Sequence, residues 1–496
     1  MQGFTNNVIE KVNLVRLTPA GCGLDLGDGS ERAEYVPQDY VLERLGRPHR
    51  NINIMYTYYP NDKEWPARIS EACADMEIHF QWDYPYDDYF PYGGGIGGSV
   101  ENEPFPQIRD IRRHGQDVTL TLTIDCGVSD EHLVKIAQDL RRFGRINLRI
   151  NHEAAGDWFT HSRRYSYEEV GAFFVRFHNI IKREARNVRT IFCAGAVKPD
   201  GSMDKIEAFR EAYLAADAWS NDCYLCLHYG WPFDVCEKDG KSFAVTPPEQ
   251  YYETLKKTAA YLKELNGGVL KPFMVCETNV DGDVTGPVQQ GDALTRFMKL
   301  IREEEEPFLN GFTLYQFRDR GRLGLEIENP NNRAFGIEQP LMTTYKQLMK
   351  DPYYMPGYEE GQTITVSGEE KDLAEPIRLR WGSAEDADGA ELSVTLEKMP
   401  VFFELNFEEA LNLMIEVNGR WFYKAPEVNT VDVMGAFFTA GAEPVREGQE
   451  LKIRIFAPPA NGENPETDAP DWDLNCYTEM KKLPGLRIRY DAVALP

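Results

Sequence analysis

From about residue 50 the chain alternates short β-rich runs with amphipathic helical runs, and it does so eight times. Successive strands separated by helices pair in parallel, because the helix carries the chain back along the sheet before the next strand begins. Eight such units are the number that closes a (β/α)8 barrel, a TIM barrel, so the predicted class is α/β. The predicted strands are 52–59, 76–83, 118–125, 146–153, 190–197, 223–230, 272–279 and 312–319. Predicted helices, read from apolar residues at helical spacing, include 129–144, 165–185, 247–265 and 292–306.

After a last helical run, 341–355, the texture changes to short alternating strands such as IRLRW, ELSVTLE and LKIRIFA. That pattern predicts a β-sandwich. Residues 351–496 carry 28 acidic and 13 basic residues, so the module is strongly acidic. The expected organisation is a lead-in segment over 1–50, a barrel over 51–358 and an all-β C-terminal sandwich domain over 359–496. Trp421, Phe422, Tyr423 and Trp472 are candidates for a glycan platform on it, although structural support is the expected role. GGGIGG (93–98) reads as a flexible loop.

A formal charge of −26 argues against a nucleic-acid partner. No run is long and apolar enough to span a bilayer, and the N-terminus lacks a basic region leading into an apolar stretch. Nine cysteines are an odd count, and several lie in strand-like segments, which fits reduced thiols and a cytoplasmic protein. Cys223 and Cys226 have a redox or zinc spacing, but i and i+3 on a strand face opposite sides, so core thiols are expected. Glu466, Asp468, Asp471 and Asp473 form an acidic loop that is either solvated or a calcium site. No phosphate-cradling or dinucleotide motif is present, and no cofactor or catalytic metal is expected.

In a barrel of this class, chemistry sits at the C-terminal ends of the strands. Glu153 closes the predicted fourth strand and Glu277 the seventh. Two carboxyl groups facing each other across a pocket are what retaining glycoside hydrolysis requires, with an expected separation of about 5–5.5 Å. This layout resembles the clan A retaining glycoside hydrolases. The stretch HEAAGDWF (152–159) resembles the His-Glu-x-x-Gly-x-Trp-Phe segment of glycoside hydrolase family 26, the β-mannanase family. The resemblance implies Glu153 as acid/base, His152 as a sugar contact, Glu277 as nucleophile and Tyr229 as the strand-six tyrosine orienting it. It also implies an oligosaccharide or polysaccharide substrate, with β-mannosides first and other β-glycosides of the clan, or carbohydrate binding without catalysis, as alternatives. Two positions differ from the family pattern: Ala155 replaces an asparagine, and Gln316, Phe317 and Arg318 stand where a tryptophan ends strand eight. Self-association is left open.

Strand parity points the same way. If the apolar set of each strand faces the helices, Asp83, Asp125, Arg149 and Glu153 point into the barrel. Arg149 there needs a carboxylate partner, and His152 reaches the pocket only if the strand end is irregular. Trp82, Tyr84, Tyr86, Trp158, Tyr229 and Trp231 are candidate stacking residues, with packing as the alternative. Asn151, His228, Arg318 and Asp319 are further candidate sugar contacts, and Asp125, Asp281, Asp283 and Asp319 are rival carboxylates.

Overall fold

The computed structural model describes residues 4, 8–28, 35–62, 90–156, 158–203, 205–228, 243–319, 321–364, 366, 372–438, 442, 444–464 and 477–491. Eight parallel strands close into a ring: Gly23–Gly27, Asn51–Tyr58, Asp117–Ile124, Ile146–Ile150, Val188–Phe192, Ala218–Ser220, Phe273–Thr278 and Gly311–Leu314. The last strand pairs back onto the first, and the first onto the second. The fold is the expected (β/α)8 barrel followed by antiparallel sheets.

The ring departs from the predicted strand set at its first and sixth members. The ring opens with Gly23–Gly27, inside the expected lead-in. Its glycines make it read as a turn, but Gly23 is a steric requirement: a Cβ there, or on Gly311 of the neighbouring last strand, would lie 2.5 Å or less from the Arg50 guanidinium. Arg50 uses that space to reach Asp25 at 2.6 Å. The predicted strand 76–83 lies outside the described residues, and the ring closes without it. The two differences cancel, so numbering from strand three onward is as expected. Strand six is the short Ala218–Ser220, whereas Cys226–His228 pairs with Phe243–Val245 in a separate antiparallel hairpin.

The helices follow their local signals. Tyr167–Glu184 starts at a capping box, Ser166 accepting from the Glu169 N–H while the Glu169 carboxylate accepts from Ser166. Pro287 begins the helix Pro287–Arg302, which therefore starts before the predicted residue 292. Gly93–Gly98 is a packed double turn rather than a flexible loop. The Gly95 N–H donates to Asp139 at 2.8 Å, and a Cβ on Gly98 would meet two carbonyl oxygens within 2.4 Å.

The β domain is a six-stranded sheet opposed by smaller sheets over a core that includes Leu392, Val394, Phe403, Ile415 and Ile453. Its largest sheet takes Lys11–Thr18 between Gly357–Ile364 and Asp388–Leu396. The first fifty residues thus give one strand to each body. The sheet docks on the barrel floor through Val15, Leu17, Leu42, Met414, Trp421 and Phe456. Trp421 is buried there, Phe422 packs on the sandwich core and Tyr423 lies against His114, so none of these rings is an open glycan platform. Trp472 and the acidic loop 466–473 lie outside the described residues. Among the described residues no disulfide forms, and no helix is long and apolar enough to cross a membrane.

Candidate active site

Parity along strands three and four lines the barrel with polar groups. Thr121 donates to Asn53 at 3.1 Å and accepts from Arg149 Nε at 2.8 Å. Arg149 is fully buried, and its remaining donors pair with Asp222 through Nη1 and with Glu277 through Nη2. The inward arginine thus has two carboxylate partners, and it serves the carboxylates rather than open space.

Strand four stops at Ile150, and the next residues leave extended geometry: Asn151 has φ 44° and Glu153 φ 50°. Asparagine tolerates this left-handed region, while glutamate adopts it at a cost of roughly 1 kcal/mol or more. The turn is held by Asn151, whose amide accepts from the Ile124 N–H at 2.6 Å and donates to the Ile124 carbonyl at 3.1 Å. Its polar atoms are therefore engaged within the scaffold. The Ala154 N–H donates to the Cys193 carbonyl at 3.0 Å and the Gly156 N–H to that of Glu153 at 2.7 Å. Gly156 is sterically required, since a Cβ there would lie 2.4 Å from the Trp158 ring. Trp158 in turn donates from Nε1 to Glu153 Oε2 at 2.9 Å. These left-handed steps are the irregularity that parity demands for His152, whose Nε2 lies 3.6 Å from Glu277 Oε1. At 1 % exposure His152 sits behind the nucleophile candidate. Burial, then the charges of Arg149 and His161, hold it well below the usual histidine range and therefore neutral.

Glu277 ends strand seven, buried, and accepts from Tyr224 Oη at 2.7 Å as well as from Arg149. Tyr224 thus makes a contact of the kind expected of Tyr229, which lies outside the described residues. One oxygen each of Glu153, Asp222 and Glu277 converge within 4.8 Å of one another. Closely approaching oxygens accord with the short carboxyl gap of about 5–5.5 Å that double displacement uses. A cation would find ligands here, but the Arg149 guanidinium already supplies positive charge to Asp222 and Glu277.

Three carboxylates against one guanidinium leave a surplus of negative charge, which a buried cluster relieves by keeping a proton. Burial raises Glu153 well above the ordinary carboxylate range, and the charges of Glu277 and Asp222 raise it further against the opposing Arg149 and Trp158. Burial likewise pushes Asp222 up to about 7, with Arg149 opposing. Glu277 accepts from a guanidinium and a phenol, contacts that fix its orientation.

The other candidates divide. Asp125 accepts from Tyr165 Oη at 2.7 Å and the Gly127 N–H at 3.0 Å, which ties neighbouring loops together. Arg318 pairs with Glu326 at 3.0 Å and donates to the Arg333 carbonyl at 2.8 Å. Asp281 caps the helix Gly282–Thr285, Asp283 accepts from the Arg322 N–H, and Asp319 accepts from Gln316. None of these joins the glutamate pair. Trp82, Asp83, Tyr84, Tyr86, Tyr229 and Trp231 lie outside the described residues, as does the side chain of His228. Sequence reasoning missed Asp222 and Tyr224 because the apolar run 223–230 has stronger β character than AWS. Had Ala218–Ser220 been read as strand six, both would have stood just past its end.

No protein-family profile matches this sequence, and no curated protein sequence matches it. Among solved structures, the chain aligns with a GH26 β-mannanase from Bacteroides ovatus at 12 % identity and a TM-score of 0.42, over 68 % of this chain and 90 % of that one. A modular endo-β-1,4-mannanase from Cellulomonas fimi aligns at 14 % identity and 0.42, over 88 % and 90 %. A family 51 α-L-arabinofuranosidase from Bifidobacterium longum aligns at 11 % and 0.41, over 91 % and 97 %.

Proposed function

We propose that the protein is a retaining β-glycoside hydrolase, with Glu277 as nucleophile and Glu153 as acid/base. The observation that carries this is the pair itself: two glutamates at the ends of strands four and seven, within 4.8 Å, one half-buried with its carboxyl raised and one clamped by Arg149 and Tyr224.

In the first step Glu277 attacks the anomeric carbon while Glu153 gives its proton to the departing glycosidic oxygen. The ester so formed removes the Glu277 charge that helped to raise Glu153. The acidity of Glu153 therefore changes in the direction the second step needs, and it accepts a proton from the water that attacks the same carbon and frees Glu277. Arg149 and Tyr224 orient the nucleophile, Asp222 holds Arg149, and Trp158 holds Glu153. β-Mannosides are the first substrate class, on the strength of the HEAAGDWF segment, and a cytoplasmic location would favour short oligosaccharides.

Proton NMR of early hydrolysis of aryl β-glycosides, mannoside first, tests the mechanism. The first-formed sugar is expected to be the β anomer, as two displacements require. An initial α anomer would overturn the double displacement, and absence of turnover across a panel of aryl β-glycosides would favour a binding protein.

A further inference from the structure

Strand eight carries no tryptophan, and what lines the mouth in its place is delivered by the loop that follows. Buried Met55, Phe159 and Tyr315 form a small cluster at the strand ends, and three half-exposed side chains pack on it: Trp158, Tyr224 and Leu323. Trp158 is the ring that holds Glu153 and Tyr224 the ring that holds Glu277. Tyr224 meets Tyr315 edge-on at 6.0 Å between ring centroids. Leu323 is thus the aliphatic member of a surface whose aromatic members are bonded to the two glutamates.

The turn that presents Leu323 is fixed from several directions. Asn279, two residues past Glu277, donates from Nδ2 to the Leu323 carbonyl and, at 2.9 Å, to that of Tyr315. The Arg322 carbonyl accepts from Gln290 Nε2 at 2.8 Å and from the Gly282 N–H at 3.1 Å, and the Arg322 N–H donates to Asp283 at 3.0 Å. Glycines permit this closeness: a Cβ on Gly282 would lie 3.0 Å from Arg322, and one on Gly324 would lie 2.7 Å from the Glu326 carbonyl oxygen. A half-exposed leucine on so constrained a turn keeps its place when a ligand arrives, and a site that needs no ordering on binding retains more of its contact energy.

The geometry points to Leu323 as a specificity-determining residue, the fixed apolar wall against which the C–H face of the sugar ring rests while the ring lies between Glu153 and Glu277. This rests on the glycosidase reading above. A pyranose offers alternating hydroxyl and C–H surfaces. The carboxylates and their donors meet the former, and the cluster around Leu323 meets the latter. The turn acts by shape and burial and takes no part in proton transfer, so its contribution belongs to ground-state and transition-state binding alike, which appears in KM rather than kcat.

Steady-state kinetics on the full chain test this with Leu323→Ala, which trims the wall, and Leu323→Asn, which keeps its size but makes it polar. Gln290→Ala loosens the turn from behind, and exposed Ile337→Ala is the control on the same loop. Wild-type turnover is measured first, and its absence from the aryl-glycoside panel counts against the glycosidase reading itself. With wild type active and the variants folded by thermal melt, both Leu323 variants are expected to raise KM about tenfold with kcat within twofold. Gln290→Ala is expected to raise KM less, and Ile337→Ala to leave it unchanged. Unchanged KM in both Leu323 variants overturns the wall. A fall in kcat at constant KM also overturns it, since Leu323 would then act by positioning the glutamates.

Discussion

The two ends of the barrel treat buried charge differently. At the floor, where the β domain docks, Arg50 pairs with Asp25, Arg112 with Asp117 and Arg145 with Asp386, each at 2.6 Å. Burial raises the nearby Glu385 carboxyl, with Arg50 and then Arg47 opposing. Guanidinium groups there are at least as numerous as the carboxyls they pair with, since Asp386 also meets Arg380 at 2.8 Å. Among the described residues at the mouth, one guanidinium faces three carboxyls. One-to-one pairing is what a buried charge needs merely to be tolerated. A buried surplus of acid has no such structural reason and marks a site whose protonation state has work to perform.

The sharpest break of this contrast is at the mouth. Glu277→Ala is expected to lower kcat on aryl glycosides by about four orders of magnitude or more, because no other carboxylate among the described residues combines the strand-seven end with the Arg149 and Tyr224 clamp. Azide should restore part of the turnover from the vacated space and give a product of inverted configuration, readable by NMR. Stability should hold, since Arg149 keeps Asp222. Near-normal activity would remove Glu277 from the mechanism.

The reverse outcome is expected at the floor. Arg112 is wholly buried, pairs with Asp117, donates to the Arg145 carbonyl at 3.1 Å and lies 3.5 Å from the centroid of the Trp381 ring in the β domain. Arg112→Met leaves Asp117 with Arg145 at 3.9 Å and should cost about 3–5 kcal/mol in chemical denaturation. The folded fraction should keep the wild-type kcat. Expressing residues 1–359 alone carries the same logic further. It strips Lys11–Thr18 of its neighbour Asp388–Leu396 and uncovers Val15, Leu17 and Leu42, so insolubility is expected. A stable, fully active fragment would make the β domain an independent module.

The contrast also separates what could be read from sequence. Eightfold alternation announces a barrel because each unit is local. Glu153 and Glu277 stand out because strand ends in such a barrel converge. Parity placed Arg149 inside and demanded a carboxylate for it, but could not say which, since Asp222 and Glu277 arrive from strands 70 and more residues away. The first barrel strand was hidden because its Gly23 answers to Arg50, a contact with no local signal. Arg318 and Asp125 drew notice because they follow strand ends, and their partners Glu326 and Tyr165 come from folded loops that carry no local signal.

The smallest expected effect sharpens the comparison most, because it measures the surplus charge directly. Burial and two neighbouring carboxylates raise the Glu153 carboxyl above its unfolded value, so the native state binds this proton more tightly than the unfolded chain does. A group shifted in this direction contributes stability that is full at acid pH and is lost as pH rises through its native pKa. Glu153→Gln removes the ionisation while keeping an acceptor for the Trp158 N–H. Thermal melts across pH 4 to 9 should therefore show variant and wild type close together at acid pH. On the alkaline side the variant should become the more stable by roughly 1 kcal/mol, the exchange of stability for function usual at active sites. The same variant should lose activity mainly on substrates with poor leaving groups, which need the acid. A wild type more stable than the variant at pH 8 would mean that Glu153 rests as a carboxylate. The surplus proton would then belong to a neighbouring carboxyl such as Asp222, and Glu153 would lose its assignment as the acid.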